Sequence, residues 1–252
     1  MARMFWMLCA ALLLLQGAGF APFDVSSLSV APPTVVAELD RKVLRGEPSR
    51  LAWSPDGSLL YIQTRDGIGA AAHTRHFQLR LGQDGLAPLD IEPGWAADYW
   101  HNKVTEAAPG MPWLSIDARV DRTRTRVAPF AGGFAGAGSA TGSEAAASYT
   151  LAYVTLSFLG VEIGQWMTDE PKSGVTFGWG PAGSGALAFV DRQGRLTLMD
   201  KERRLRPIAR TDRVRLPAWS PDGNYVAYLE PQGQSRFRLA SVALLRVDRP
   251  LQ

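Results

Sequence analysis

Cysteine is nearly absent from the chain: Cys9 is the only one in 252 residues, and it lies inside an apolar leader. Disulfides, cysteine-ligated zinc and thiol catalysis are therefore excluded from the body of the protein. A strong excess of one charge is also missing, with 27 basic against 24 acidic residues. That near balance excludes the electrostatic footprint of a nucleic-acid binder. Lysine is scarce, four against 23 arginines, and asparagine occurs twice, a bias that follows from a GC-rich genome before any binding role. No apolar run approaches the roughly 20 residues that span a bilayer. The longest, Met4 to Leu15, has twelve.

That run follows Arg3 and precedes the small-residue exit "QGAGFA", the layout of an export signal over residues 1–21. Cleavage after Ala21 would leave Pro22 first, so cleavage after Gly19, or retention as an N-terminal anchor, stays open. Contact with a membrane is expected only through such a retained segment. The expected location is the periplasm or the exterior.

Beyond the leader, strand signals dominate. Runs such as "LLYIQT", "HFQLRL", "SYTLAYVTLSFLGVEI", "ALAFV" and "RFRLASVALLRV" alternate with Asp-Gly and Gln-Gly breaks. Several are apolar at consecutive positions, as when both faces of a sheet are covered. The chain is expected to be all-β, one domain over residues 34–252.

One pentapeptide occurs twice, Trp53-Ser54-Pro55-Asp56-Gly57 and Trp219-Ser220-Pro221-Asp222-Gly223, and an eroded copy follows Trp179. Trp179 and Trp219 are 40 residues apart, and Trp53 and Trp179 are 126, or three periods of 42. Four-stranded propeller blades recur at about 40 to 45 residues. Ser-Pro-Asp-Gly suits a type I turn closed by a left-handed glycine, and the tryptophan offers a surface to wedge between sheets. These residues are expected to be structural, with Asp56 and Asp222 bonded to nearby backbone. The last unit is one strand short of four, and "TVVAELD" (34–40), which belongs to no unit, is expected to pair with the C-terminal strand and close a ring. About five blades are expected, with four or an incomplete six as alternatives. Residues 131–148, rich in Gly, Ala and Ser, are expected to be a flexible insertion.

The W-S-P-D-G hairpins resemble WD-like propeller repeats, found in TolB-type periplasmic propellers and in the propeller domains that precede prolyl-oligopeptidase hydrolases. The match is full at 53–57 and 219–223 and degenerate at 179–185, where Gly180-Pro181 replace Ser-Pro. What the resemblance implies is a non-enzymatic exported scaffold that binds a protein or envelope component.

No G-x-S-x-G motif is present for a serine hydrolase. Three histidines, His73, His76 and His101, define the enzyme-class alternative, a propeller that binds or processes a glycan or small molecule at its channel mouth. His73 and His76, three apart in a strand, would point to opposite faces, so neither a metal nor any other cofactor is expected. For a partner surface, the aromatic cluster Trp95, Tyr99, Trp100 and Trp113 stands out, with a distorted core as its alternative. Arg122, Arg124 and Arg126 would share one strand face, either as an anion-binding row or as a solvated edge. A monomer is expected, against the alternative of a truncated propeller completed by another chain.

Overall fold

The structure, a computed structural model, describes residues 23–67, 72–83, 85–127, 150–168, 177–191, 193–209, 211, 214–233 and 235–246. The expected leader and the Gly/Ala/Ser-rich insertion lie outside them. The chain is all-β, built mainly from antiparallel sheets of four or so strands, as in propeller-like folds.

The first sheet is a meander of β3 (Glu47–Trp53), β4 (Leu59–Asp66), β5 (His73–Arg80) and β6 (Ala87–Leu89). Two smaller sheets follow. One joins β7 (Ala107–Ala108) to β8 (Met111–Ser115); the other joins β9 (Asp117–Val127), β10 (Thr150–Phe158) and β11 (Val161–Thr168). A second four-stranded meander contains β12 (Phe177–Trp179), β13 (Leu187–Val190), β14 (Leu196–Met199) and β15 (Leu205–Pro207). Its strands β12, β13 and β14 are buried throughout, which accounts for their uninterrupted apolar sequence.

The last sheet holds β16 (Arg215–Trp219), β17 (Tyr225–Gln232) and β18 (Arg236–Arg246). Its fourth position is filled from the other end of the chain. β2 (Thr34–Asp40) runs antiparallel to β18, from Asp40 opposite Arg236 to Thr34 opposite Ser241, and β1 (Leu28–Val30) continues along the same strand as far as Arg246. The C-terminal strand thus has both edges paired, because β17 occupies the other side.

Residues 23–30, ahead of the expected domain start, belong to the body. Phe23 is 1% exposed and meets Trp219 edge-on at 5.5 Å, and Phe23, Val25 and Leu28 join the core formed by β13, β14, β17 and β18. Polar contacts fix the same stretch. The carboxylate of Asp200, fully buried in the turn after β14, accepts from the backbone of Val25 at 3.2 Å and from Arg204 Nε at 2.8 Å. Arg204 also reaches Asp24 (2.8 Å), and Arg206 donates to the carbonyls of Val25 and Leu28.

Two helices interrupt the strands. α1 (Arg41–Leu44) is a single turn capped by Asp40. α2 (Gly94–Lys103) has ten residues and packs on β3. Its inward positions 95, 96, 99, 100 and 103 keep helical spacing.

Candidate functional site

At Trp53 to Gly57 the turn is closed by Gly57 N donating to the Ser54 carbonyl at 2.9 Å, with Gly57 at φ +71°. At the second copy, Gly223 N donates to Ser220 at 3.0 Å, with φ +72°. Pro55 and Pro221 occupy the second turn position, where φ near −65° is required. Ser54 Oγ donates to Asp56 at 2.6 Å, and Ser58 donates to the same carboxylate through its amide (3.1 Å) and hydroxyl (2.7 Å). These bonds lower the Asp56 pKa to about 2, the Ser54 bond contributing most. Asp222 accepts equivalent bonds from Ser220 and Asn224. Both carboxylates are consumed by their own turns.

The tryptophans make a longer connection. Trp53 Nε1 donates at 3.0 Å to the carbonyl of Ala218, the residue before Trp219. Trp219 Nε1 donates at 2.9 Å to Gly178, the residue before Trp179, and Trp179 Nε1 donates at 2.7 Å to Thr105. Trp53 and Trp219 thus each reach the residue just before another tryptophan of the series.

By that rule Glu106 occupies a tryptophan position. The sequence from it, Glu106-Ala107-Ala108-Pro109-Gly110, places a glycine four residues on, as at Gly57, Gly183 and Gly223. All four have positive φ, +76° at Gly110 and +80° at Gly183. The two eroded turns are bonded together, Gly183 N donating to Pro109 at 2.9 Å. Sequence reasoning missed the copy at 106–110 because its tryptophan is gone. The remaining signal was a Pro-Gly turn at the right offset from an unseen first residue. Glu106 is exposed, and α2 packs on β3.

The helix brings the sequence-selected aromatics into the interior. Trp100 is buried and Trp95 half-buried, its ring edge-on to Tyr61 at 6.1 Å. Tyr99 uses its hydroxyl to accept from the backbone N–H of Trp219 at 2.8 Å, on the edge of β16 that has no strand partner. Burial raises its pKa. Lys103 Nζ donates to the Gly180 carbonyl at 2.6 Å, and burial pushes its pKa down to about 8. Trp113, on β8, is 77% exposed.

Around the Trp95 end of the helix lies a polar cluster. Arg50, on β3, gives Nη1 to both oxygens of Glu92 at 2.9 and 3.1 Å, and its guanidinium carbon lies 5.6 Å from the Trp100 ring. Tyr61 OH and His76 Nδ1 share a hydrogen bond of 2.6 Å, and Gln63 donates to the Tyr61 oxygen at 3.4 Å. Burial, followed by the Glu92 charge, raises the Tyr61 pKa. The arrangement can orient a polar ligand through neutral and charged donors. Arg50, Tyr61 and Glu92 were not singled out by sequence, since each is isolated in the chain and only the fold gathers them.

The other sequence candidates are dispersed. His73 opens β5 and His101 lies in the last turn of α2, both exposed. Among the described residues no three His, Cys, Asp or Glu side chains converge as a metal site. Arg122, Arg124 and Arg126 lie on β9, whose pairing with β10 is irregular between Asp121 opposite Tyr153 and Arg126 opposite Leu151. The three side chains lie outside those described. No helix among the described residues is long and apolar enough to cross a membrane.

Fold and site together define an all-β protein of antiparallel meanders with an aromatic and polar cluster where α2 packs on β3. No protein-family model matches the chain, and no curated protein matches it. Among solved structures it is similar to TolB from Acinetobacter baumannii, at 12% identity and a TM-score of 0.21, over 77% of this chain and 43% of that one. The chain spans less than half the length of that protein.

Proposed function

We propose that this protein is an exported β-propeller, its ring closed by β2, which acts without catalysis as a scaffold for a protein component of the cell envelope. The observation that carries this reading is Trp113. The repeat tryptophans are buried and Asp56 and Asp222 are satisfied within their turns, whereas Trp113 leaves 77% of its surface to solvent on a short strand. Exposed tryptophans are preferred anchors of protein interfaces. The near-balanced charge favours a protein partner over nucleic acid.

A photo-crosslinking residue placed in cells at the exposed Ser115, two positions from Trp113 on β8, tests it. The expected result is one discrete protein adduct in the envelope fraction, lost from complexes of Trp113→Ala while the unfolding midpoint is unchanged. A cytoplasmic location, or complexes indifferent to Trp113→Ala, would overturn the proposal. The alternative, a propeller that binds a small molecule or glycan, gains support from the polar cluster around His76.

A further inference from the structure

Basic side chains gather around α1, at one end of the first and last sheets. There β2 stops beside the start of β18, with Asp40 opposite Arg236, and β3 starts beside the end of β4, with Glu47 opposite Arg65. α1 joins β2 to β3 at this end, and the amide of Arg41 donates to the Ser235 carbonyl, in the turn before β18, at 3.0 Å. Arg215, which opens β16, reaches Glu47 at 3.4 Å.

The carboxylates nearby are already engaged. Asp40 accepts from the backbone of Lys42 at 2.8 Å, Glu47 is shared between Arg41 (2.7 Å) and Arg215, and Asp66 lies 3.6 Å from Arg75. Lys42, Arg45 and Arg236 are exposed, and no carboxylate among the described residues pairs with them.

Solvated cations are ordinary on a surface; the way these are mounted is not. Leu44 is fully buried, and its carbonyl accepts from Thr64 Oγ1 at 2.9 Å. The Arg41 guanidinium carbon lies 4.6 Å from the centre of the Phe237 ring, and Arg75 donates to the Arg45 carbonyl. Arg45 itself ends α1 at φ +46°, a left-handed position that glycine or asparagine takes at lower cost. The turn has no need of a long cation there. Charges displayed from so fixed a backbone lose little freedom on binding.

The engaged carboxylates select among anionic partners. A lipid surface carries negative charge everywhere and would face Asp40, Glu47 and Asp66 as well as the cations. A polypeptide can set its acids opposite the cations alone. Val43, 54% exposed between Lys42 and Arg45 in the chain, adds an apolar contact that a peptide side chain would cover.

We propose that the surface around α1 binds an acidic segment of a partner polypeptide, its carboxylates taken by Lys42, Arg45 and Arg236 and an apolar side chain by Val43. The use of this surface in the cell rests on the scaffold reading. Trp113 is no part of it, so acidic-peptide binding and crosslinking from β8 can fail separately.

The test is titration of a fluorescein-labelled glutamate-rich peptide with one central leucine by the full chain at physiological ionic strength. The same peptide with glutamine for glutamate, and phosphatidylglycerol vesicles, are the comparators. The acidic peptide is expected to saturate with a dissociation constant on the order of 0.1 mM and to weaken as salt is added. Lys42→Gln, Arg45→Asn and Arg236→Gln should each weaken binding about threefold, the scale of one exposed ion pair. Asparagine suits the left-handed position, so Arg45→Asn should lose binding with no fall in its unfolding midpoint. Arg80→Gln, which removes one exposed charge at the opposite end of β5, and Trp113→Ala should bind as the parent does. Absence of saturation by the acidic peptide would overturn the proposal, as would equal binding of the glutamine peptide. So would a loss in Arg80→Gln as large as in the three variants, or tighter binding of the vesicles through the same three residues.

Discussion

Asp56 gathers Ser54 and Ser58 around one carboxylate, and the consequence is measurable with pH. Its pKa falls from 3.8 to about 2 on folding. A depressed carboxylate stabilises the fold above the unfolded value and loses that contribution as pH drops through the folded one. Asp56→Asn should therefore lower the thermal midpoint at neutral pH, by a difference that shrinks between pH 3.8 and about 2. A constant difference across that window would show that the charge is irrelevant. At Trp219, replacement by phenylalanine keeps a ring but leaves the Gly178 carbonyl without its donor. A loss of about 1–3 kcal/mol is expected in urea denaturation. The turn residues were legible in the sequence because Pro, Asp and Gly have conformational preferences of their own. The indole series was not, because its acceptors are backbone carbonyls that any residue supplies.

Among the elements, α2 is the one the sequence concealed. It begins at Pro93 with no side-chain cap, and its inward residues are aromatic, a composition that also suits strands. Its apolar face is set by Tyr99 and Trp100, and its last inward residue is Lys103. A lysine whose pKa is lowered to about 8 from 10.5 binds fewer protons folded than unfolded between those values, so stability should rise with pH across that window. The buried tyrosines Tyr61, Tyr99 and Tyr228, whose pKa values burial raises, oppose it together above pH 10, the unfolded value. The clean interval is thus pH 8 to 10. Urea midpoints should climb there in the parent and stay level in Lys103→Met; a climb that persists in the variant would assign it to another group. The strands, by contrast, were legible from alternation and Asp-Gly breaks, including β2, whose missing partner was implied by an incomplete last unit.

At the scale of the molecule, the N-terminal stretch from Phe23 to Val30 ties the sheet of β12–β15 to that of β16–β18. Phe23 lies against Trp219, and Asp200, Arg204 and Arg206 clasp the backbone beside it. Phe23→Ala should destabilise the whole protein by about 3–5 kcal/mol, the range for emptying a buried aromatic site, visible as a lower urea midpoint. If only local hydrogen exchange near residues 23–30 changes, the stretch is an appendage and the expectation fails. The sequence did not disclose it, since "FDVSSLSV" is too short and mixed to declare a strand and its clasp lies about 180 residues away. The location of the irregular region was easier to anticipate, because the copies of W-S-P-D-G visibly lapse between 92 and 175.

The pairing of β1 and β2 with β18 also sets an order in time. The residues that form these two strands leave the ribosome roughly 200 residues ahead of their partner, Arg236–Arg246. Until that partner has emerged, β1 and β2 have nothing to pair with and the sheet of β16–β18 is incomplete. Completion of this sheet therefore waits on β18, and a ribosome-tethered chain shortened before residue 236 should remain open to protease at β1 and β2.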